Sequence, residues 1–289
     1  MPAALHWEGT TAARCDSFRN MTWKPEIDEI ERRRQVALKL GGDEAVAKHR
    51  ARGRMNVRER IERLVDRDSF SERGQLAGFS EQEDGSDYTP TGIVMGPARI
   101  TDRPAVVCGD DFTIRGGAYS QAGQKKGLYA EELAVKRKIP LVRMREAGGA
   151  SIAGTGGGAR GRSGYDSTAP PMLNVLSMQS MQAVPVVCLA LGPVAGFPAG
   201  RLVASHLSIM TKNDSQMITG GPAVGAHAMK AKLTSEAPDS GQTPSLTSTL
   251  INEAHDQTDA HTLAPPSLPR HPDPAIEAPP YIRVAALPV

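Results

Sequence analysis

Aromatic side chains make up only 4% of the 289 residues. Proteins that grip single-stranded nucleic acid stack bases on such rings, so a chain this poor in them lacks that platform. An excess of one charge is missing too: 34 basic residues stand against 32 acidic ones, which leaves no electrostatic footprint for nucleic acid. Cysteine is scarce and odd in number. Cys15, Cys108 and Cys188 lie far apart, a pattern that fits neither a disulfide framework nor a zinc site and points to a reducing compartment, expected to be the cytoplasm. No uninterrupted apolar run nears the roughly 20 residues a membrane span needs. The first 18 residues carry Glu8 and Asp16 where a secretory signal would have its apolar core. No Gly-x-Ser-x-Gly elbow occurs, which removes the serine hydrolases built on it.

What the chain has is glycine, placed where apolar runs stop. The run Ile139-Pro-Leu-Val-Arg-Met-Arg-Glu-Ala-Gly-Gly149 would carry a strand to a sheet edge and end it in two residues without Cβ. Adjacent N–H groups aimed at one point stabilise an anionic oxygen, so Gly148 and Gly149 are candidates for an oxyanion hole. A tight strand-to-helix turn that needs glycine for its dihedrals explains the same dipeptide.

Upstream, Ile27, Ile30, Ala37 and Leu38 recur at helical spacing from Glu26 to Leu40, and Gly41-Gly42 ends the pattern. A second helix is expected from Asn56, with Asn56 and Glu59 in capping-box positions and Val57, Ile61, Leu64 and Val65 on one face. The arginines between Arg50 and Arg60 read as a solvated face. Residues 80–88 are polar and form a loop, and two strands, 92–100 and 105–108, flank the turn residues Thr101 to Pro104.

Asp110-Asp111 has no histidine or further carboxylate at ligand spacing, so no metal site is expected there. Gly116-Gly117 lets the backbone turn or approach a ligand closely. A helix over 121–138 followed by the strand from Ile139 makes a strand, helix, strand crossover, which implies α/β architecture. The segment 154–164 is so rich in glycine that a mobile loop is expected. Its literal Gly-x-Gly-x-x-Gly (Gly156, Gly158, Gly161) follows no strand directly, and Arg160 and Arg162 suit either phosphates or solvent. A helix over 171–182 is read with Leu173, Val175, Leu176, Met178 and Met181 inward; a buried strand over 185–191 then ends in the glycine turn Gly192 to Gly196.

Together these residues resemble the carboxyltransferase (β) subunits of biotin-dependent acyl-CoA carboxylases, of the propionyl-CoA and 3-methylcrotonyl-CoA type. The resemblance is carried by an ordered set: Glu31-Arg-Arg-Arg34, Ala51-Arg-Gly-Arg-Met-Asn-Val-Arg-Glu-Arg-Ile61, Phe112-Thr-Ile-Arg-Gly-Gly117, Glu146-Ala-Gly-Gly-Ala150 and Gly192-Pro-Val-Ala-Gly196. It implies a crotonase-like (ClpP/crotonase) domain over 26–225 with an N-terminal helical extension, after a flexible stretch 1–25. It implies that the amides of Gly148, Gly149 and Ala150 polarise a thioester or biotin carbonyl, with Gly116, Gly117, Arg160 and Gly196 against the bound cofactor. It implies acyl-CoA as substrate, carboxybiotin on a partner protein, and a homo- or hetero-oligomer, with neither nucleic acid nor membrane as partner.

Two features depart from the family pattern. Pro198 places a residue without N–H after the second glycine turn, so no donor is expected there. From Ala226 onward lie 10 of the 22 prolines and one of the 29 glycines, so 226–289 is expected to be a disordered tail without long helices or central strands. Its four histidines are unevenly spaced and suggest no metal site. The family carries two such domains in one chain, and this sequence has room for the first. Two other readings stay open: a non-catalytic fragment acting through oligomer contacts, and a stand-alone acyl-CoA hydratase or isomerase. The latter needs a positioned acid or base, for which Glu146 is the nearest candidate and a structural hydrogen bond its competing role.

Overall fold

A computed structural model describes residues 23–80, 82, 85–118, 120–149, 172–212, 214–218 and 252–254. Helix α1 (Lys24–Leu38) starts with Pro25 in its first turn, where the missing N–H is no loss. Gly42, at φ +94°, opens a second helix not expected from the sequence, α2 (Asp43–Arg50). Helix α3 (Val57–Leu64) begins at Asn56 as the spacing predicts. The Asn56 side chain accepts from the N–H groups of Arg58 and Glu59 at 2.9 and 3.0 Å, and the Glu59 carboxylate accepts from the Asn56 N–H at 2.8 Å.

Two short strands, β1 (Gly78–Phe79) and β2 (Thr89–Pro90), bracket the polar loop and pair antiparallel. The expected hairpin is β3 (Ile93–Ile100) against β4 (Arg103–Asp110). Thr101 and Asp102 both take positive φ between them, and the Asp66 carboxylate accepts from their N–H groups at 2.9 and 2.7 Å. Next come α4 (Gln121–Arg137), capped by Ser120, then β5 (Leu141–Ala147), α5 (Met172–Ala183), β6 (Val186–Ala195), α6 (Phe197–Val203), β7 (Leu207–Thr211), β8 (Gln216–Ile218) and β9 (Asn252–Ala254).

The main sheet runs β3-β4-β5-β6-β7-β9, with β8 on the far end of β6; every pair except β3–β4 is parallel. The α/β architecture expected from the crossover is therefore present. On one face of the sheet Val142, Met144, Leu189 and Ile209 pack with Val57, Ile61 and Leu64 of α3. The other face packs Leu141 and Val186 against Ala130, Leu133 and Ala134 of α4, and Cys188, Ala190 and Met210 against Leu202 of α6. Cys108 and Cys188 are free and buried. Among the described residues no helix is long and apolar enough to cross a membrane.

Two expectations need correction. First, α5 does not turn Val175 and Met178 inward: they are 44% and 64% exposed, while Ser177 and Ser180 are buried. The layer beneath α5 is ionic, as described below, and a hydroxyl there makes a hydrogen bond that a methionine cannot. Second, β6 does not stop at Gly192. Arg145 pairs with Ala190, but Ala147 pairs with Val194, so β6 carries extra residues through a bulge and continues to Ala195. Within 226–289 the described residues form one three-residue strand at the sheet's edge, β9, whose Asn252 lies opposite Ile209 of β7. No proline falls between 245 and 264, which leaves that stretch free to donate to a ladder.

Candidate active site

The parallel strands deliver the glycine segments to one sheet edge. Beyond the end of β5, Gly148 is exposed, and its N–H donates to the carbonyl of Gly116 at 2.8 Å. A Cβ on Gly117 would lie 2.5 Å from the Glu146 carbonyl oxygen, so only glycine lets the 115–117 turn pack this closely on β5. Gly149 is buried at φ +82°, and a Cβ there would meet the carbonyl oxygen of Ala195 at 3.0 Å. The segment 148–149 thus touches both 116–117 and 195, all far apart in sequence.

The amides of these segments are not equivalent. The Gly148 N–H, expected as one of two donors side by side, donates to the Gly116 carbonyl. The Gly196 N–H donates to the Ile218 carbonyl at 2.8 Å, which anchors β8 rather than a ligand. Pro198 sits in the first turn of α6, where its missing N–H removes nothing the helix uses. The Gly149 N–H has no acceptor among the described residues. Ala150, Arg160 and the whole glycine-rich segment 154–164 lie outside the described residues. Arg115, at φ +49°, places its guanidinium 4.3 Å from the centre of the Phe79 ring.

Directly before the turn, Glu146 is fully buried between two arginines and a histidine. Its carboxylate lies 2.5 Å from Arg60 Nη2, 3.2 Å from Arg54 Nη1 and 3.5 Å from His49 Nε2. Burial pushes this carboxyl up, but His49, Arg60 and Arg54 together outweigh burial and hold it below the usual glutamate range. On the other sheet face, Glu131 of α4 bridges Arg143 of β5 (2.7 Å) and Arg201 of α6, and Arg201 Nε donates to Ser177 Oγ at 3.1 Å. Burial again pushes the Glu131 carboxyl up, and the two arginines outweigh it, leaving it lowered. Arg145 pairs with Asp110 at 2.8 Å, both fully buried.

None of these clusters stood out in the sequence, because a charge on an amphipathic helix reads as a solvated face. The available signal was the charged triplet Arg143, Arg145, Glu146 inside an otherwise apolar strand. No group of three or more His, Cys, Asp or Glu that could hold a metal occurs among the described residues.

The carboxyl transferase domain model matches residues 48–263 of this chain, three quarters of its length. The chain belongs to the carboxyl transferase family. The match runs past residue 225 and includes β9. Similar proteins include the mitochondrial propionyl-CoA carboxylase beta chain of Sus scrofa, 27% identical over 234 residues that cover 79% of this chain and 42% of that one. The methylmalonyl-CoA decarboxylase alpha subunit of Veillonella parvula is 28% identical over 201 residues, 68% of this chain and 38% of that one. The chain spans about two fifths of the length of these relatives. In fold it is similar to transcarboxylase 12S, a hexamer solved with methylmalonyl-coenzyme A bound, with a TM-score of 0.70 at 24% identity over 85% of this chain and 47% of that one. The crotonase-like fold implied by the sequence resemblance is therefore the fold observed.

Proposed function

We propose that this chain is the acyl-CoA-binding half of a carboxyltransferase, in which the turn after β5 holds the thioester oxygen. The observation that carries the proposal is the Gly149 N–H, which lacks an acceptor among the described residues and lies where three glycine segments meet at the sheet edge. Removing the proton beside a thioester leaves an enolate, and one preorganised donor stabilises such an oxygen by roughly 3–4 kcal/mol. Within this reading Gly149, with Ala150 after it, polarises the carbonyl, while Gly148 shapes the turn by its bond to Gly116. Gly116, Gly117 and Gly196 keep the backbone close enough for coenzyme A to lie along it, and Arg160 meets its phosphates.

Carboxybiotin on a partner protein would supply the carboxyl group; no described residue is assigned to biotin. A second domain or chain, within a homo- or hetero-oligomer in the cytoplasm, completes the reaction. The hydratase or isomerase reading is weakened by Glu146: a fully buried carboxylate engaged by Arg60, Arg54 and His49 is not free to reach a substrate.

Calorimetric titration with acetyl-, propionyl- and 3-methylcrotonyl-CoA, alongside free coenzyme A, tests the proposal. Binding of at least one thioester more tightly than coenzyme A is expected. Equal or absent binding of all four would leave only a fragment that acts through oligomer contacts.

A further inference from the structure

We infer that Glu146 is a positioning residue: clamped by Arg60, Arg54 and His49 in the space that Gly192 leaves open, its carboxylate sets where the Gly149 N–H points. The inference rests on the reading of Gly149 as the oxyanion donor. Glu146 sits at the one place where the β5–β6 register shifts, between Arg145 opposite Ala190 and Ala147 opposite Val194. Gly192 lies within the extra residues of β6, and a Cβ on it would fall 2.4 Å from both Cδ and Oε1 of Glu146. The carboxylate therefore fills the bulge and keeps it open. Arg60 holds both sides of the bulge, approaching Glu146 Oε2 at 2.5 Å and donating from the same nitrogen to the Leu191 carbonyl at 3.1 Å.

Arg54 reaches the far end of the same edge, donating from Nη1 to Glu146 at 3.2 Å and from Nη2 to the Asp214 carbonyl at 3.3 Å. His49 comes from α2, and its Nε2 also lies 3.2 Å from the Met55 carbonyl oxygen. The bulge determines how far Ala195 extends beside the β5 turn, and Ala195 is the residue whose carbonyl lies against Gly149. A bulge that re-aims neighbouring groups is a recurring device beside functional sites. Here, the helical extension grips that bulge through one carboxylate. Moving the carboxylate shifts the relative offset of the two strand ends, and a donor displaced by a fraction of an ångström loses most of its effect on a carbonyl oxygen.

Two measurements on the full chain test this. The first is hydrogen exchange in the ligand-free protein, read on the peptide spanning 145–149 against peptides from α4. Glu146→Gln, Gly192→Ala and Arg54→Met are each expected to speed exchange there at least tenfold more than in α4, with Arg54→Lys restoring most of the protection. Arg54 has a side chain 19% exposed, so its variant keeps the test alive if the buried substitutions fail to fold. Uniform acceleration across both peptides would overturn the inference.

The second is infrared difference spectroscopy of propionyl-CoA labelled with 13C at the thioester carbonyl. The unaltered chain should lower the carbonyl stretch, and the variants should lose at least half of that displacement. Their preference for thioester over free coenzyme A should also fall about tenfold, the worth of one hydrogen bond. A displacement kept in every variant overturns the inference. Without a displacement in the unaltered chain but with the local exchange response, the oxyanion reading falls while the clamp stands.

Discussion

The two buried carboxylates, Glu131 and Glu146, invite comparison because their surroundings are chemically so alike. Each is fully buried, each meets at least two cationic side chains from other elements, and each is held below its ordinary range against the pull of burial. They differ in where β5 meets them. Arg143, the partner of Glu131, sits mid-strand on the face covered by α4, α5 and α6, where it also donates to the Ala204 carbonyl at 3.0 Å. That cluster knits three helices to the sheet and reaches no open edge. Glu146 sits at the strand's end, on the face covered by α3, at a register shift one step from the glycine turn. The same chemistry is thus used once to bind layers together and once to hold a backbone in a particular place.

The comparison breaks most visibly at Glu131. Glu131→Gln leaves Arg143 and Arg201 buried beside each other without a counter-charge, and losing one side of a buried pair costs about 3–5 kcal/mol. Urea denaturation should show that drop, while any protein still folded keeps its displaced thioester carbonyl. Glu146→Gln should lose stability on the same scale and the carbonyl displacement with it. Replacing the whole cluster, as Glu131→Leu with Arg143→Met and Arg201→Met, should restore stability to the parent level or raise it by about 1–4 kcal/mol, because the desolvation penalty is removed together with the attraction. The matching replacement of Glu146, Arg60 and Arg54 should recover stability in the same assay yet leave the carbonyl unmoved.

Acid should act on both clusters in the same direction. Each carboxyl has a folded pKa lowered from its unfolded value, so its contribution is fully present above the usual glutamate range and is lost as pH falls through the folded value. Urea midpoints followed downward from neutral pH should fall below that range in the parent, and fall less in the cluster replaced by apolar groups. A parent midpoint independent of pH would show that neither carboxylate is held ionised by its neighbours.

Much of the scaffold was legible in the sequence, and for local reasons. The Asn56–Glu59 box, the Thr101–Pro104 turn and the strand that stops before Gly148 each follow from a few adjacent residues. So did the juxtaposition of glycines with strand ends, which located the edge. The ionic layers were not legible, because Glu131, Arg201 and Arg60 differ from solvated neighbours only in what lies across the fold. For the same reason Ser177 and Ser180, rather than Met178, face inward on α5: their partner, a buried carboxylate–arginine cluster, is assembled from α4, β5 and α6. The commitment of the Gly148 N–H to Gly116 was hidden as well, since it joins positions 32 residues apart across a sheet edge.

The finest test of the contrast uses two helix caps of nearly equal strength. Asn56 caps α3, the helix that carries Arg60 to the bulge; Ser120 caps α4, the helix that carries Glu131, and accepts from the Gly123 N–H at 3.1 Å. Truncating either cap to alanine should cost about 1 kcal/mol, within the ordinary range of about 0.5–2 kcal/mol for such losses. The two variants should therefore unfold at similar urea concentrations. They should diverge at the turn: Asn56→Ala loosens the first turn of α3, one helical turn before Arg60, and should speed exchange in the 145–149 peptide beyond the global change. Ser120→Ala should not. Equal exchange in the two would mean that the α3 face transmits nothing to the turn that the α4 face does not, and that the two carboxylates differ in address but not in role.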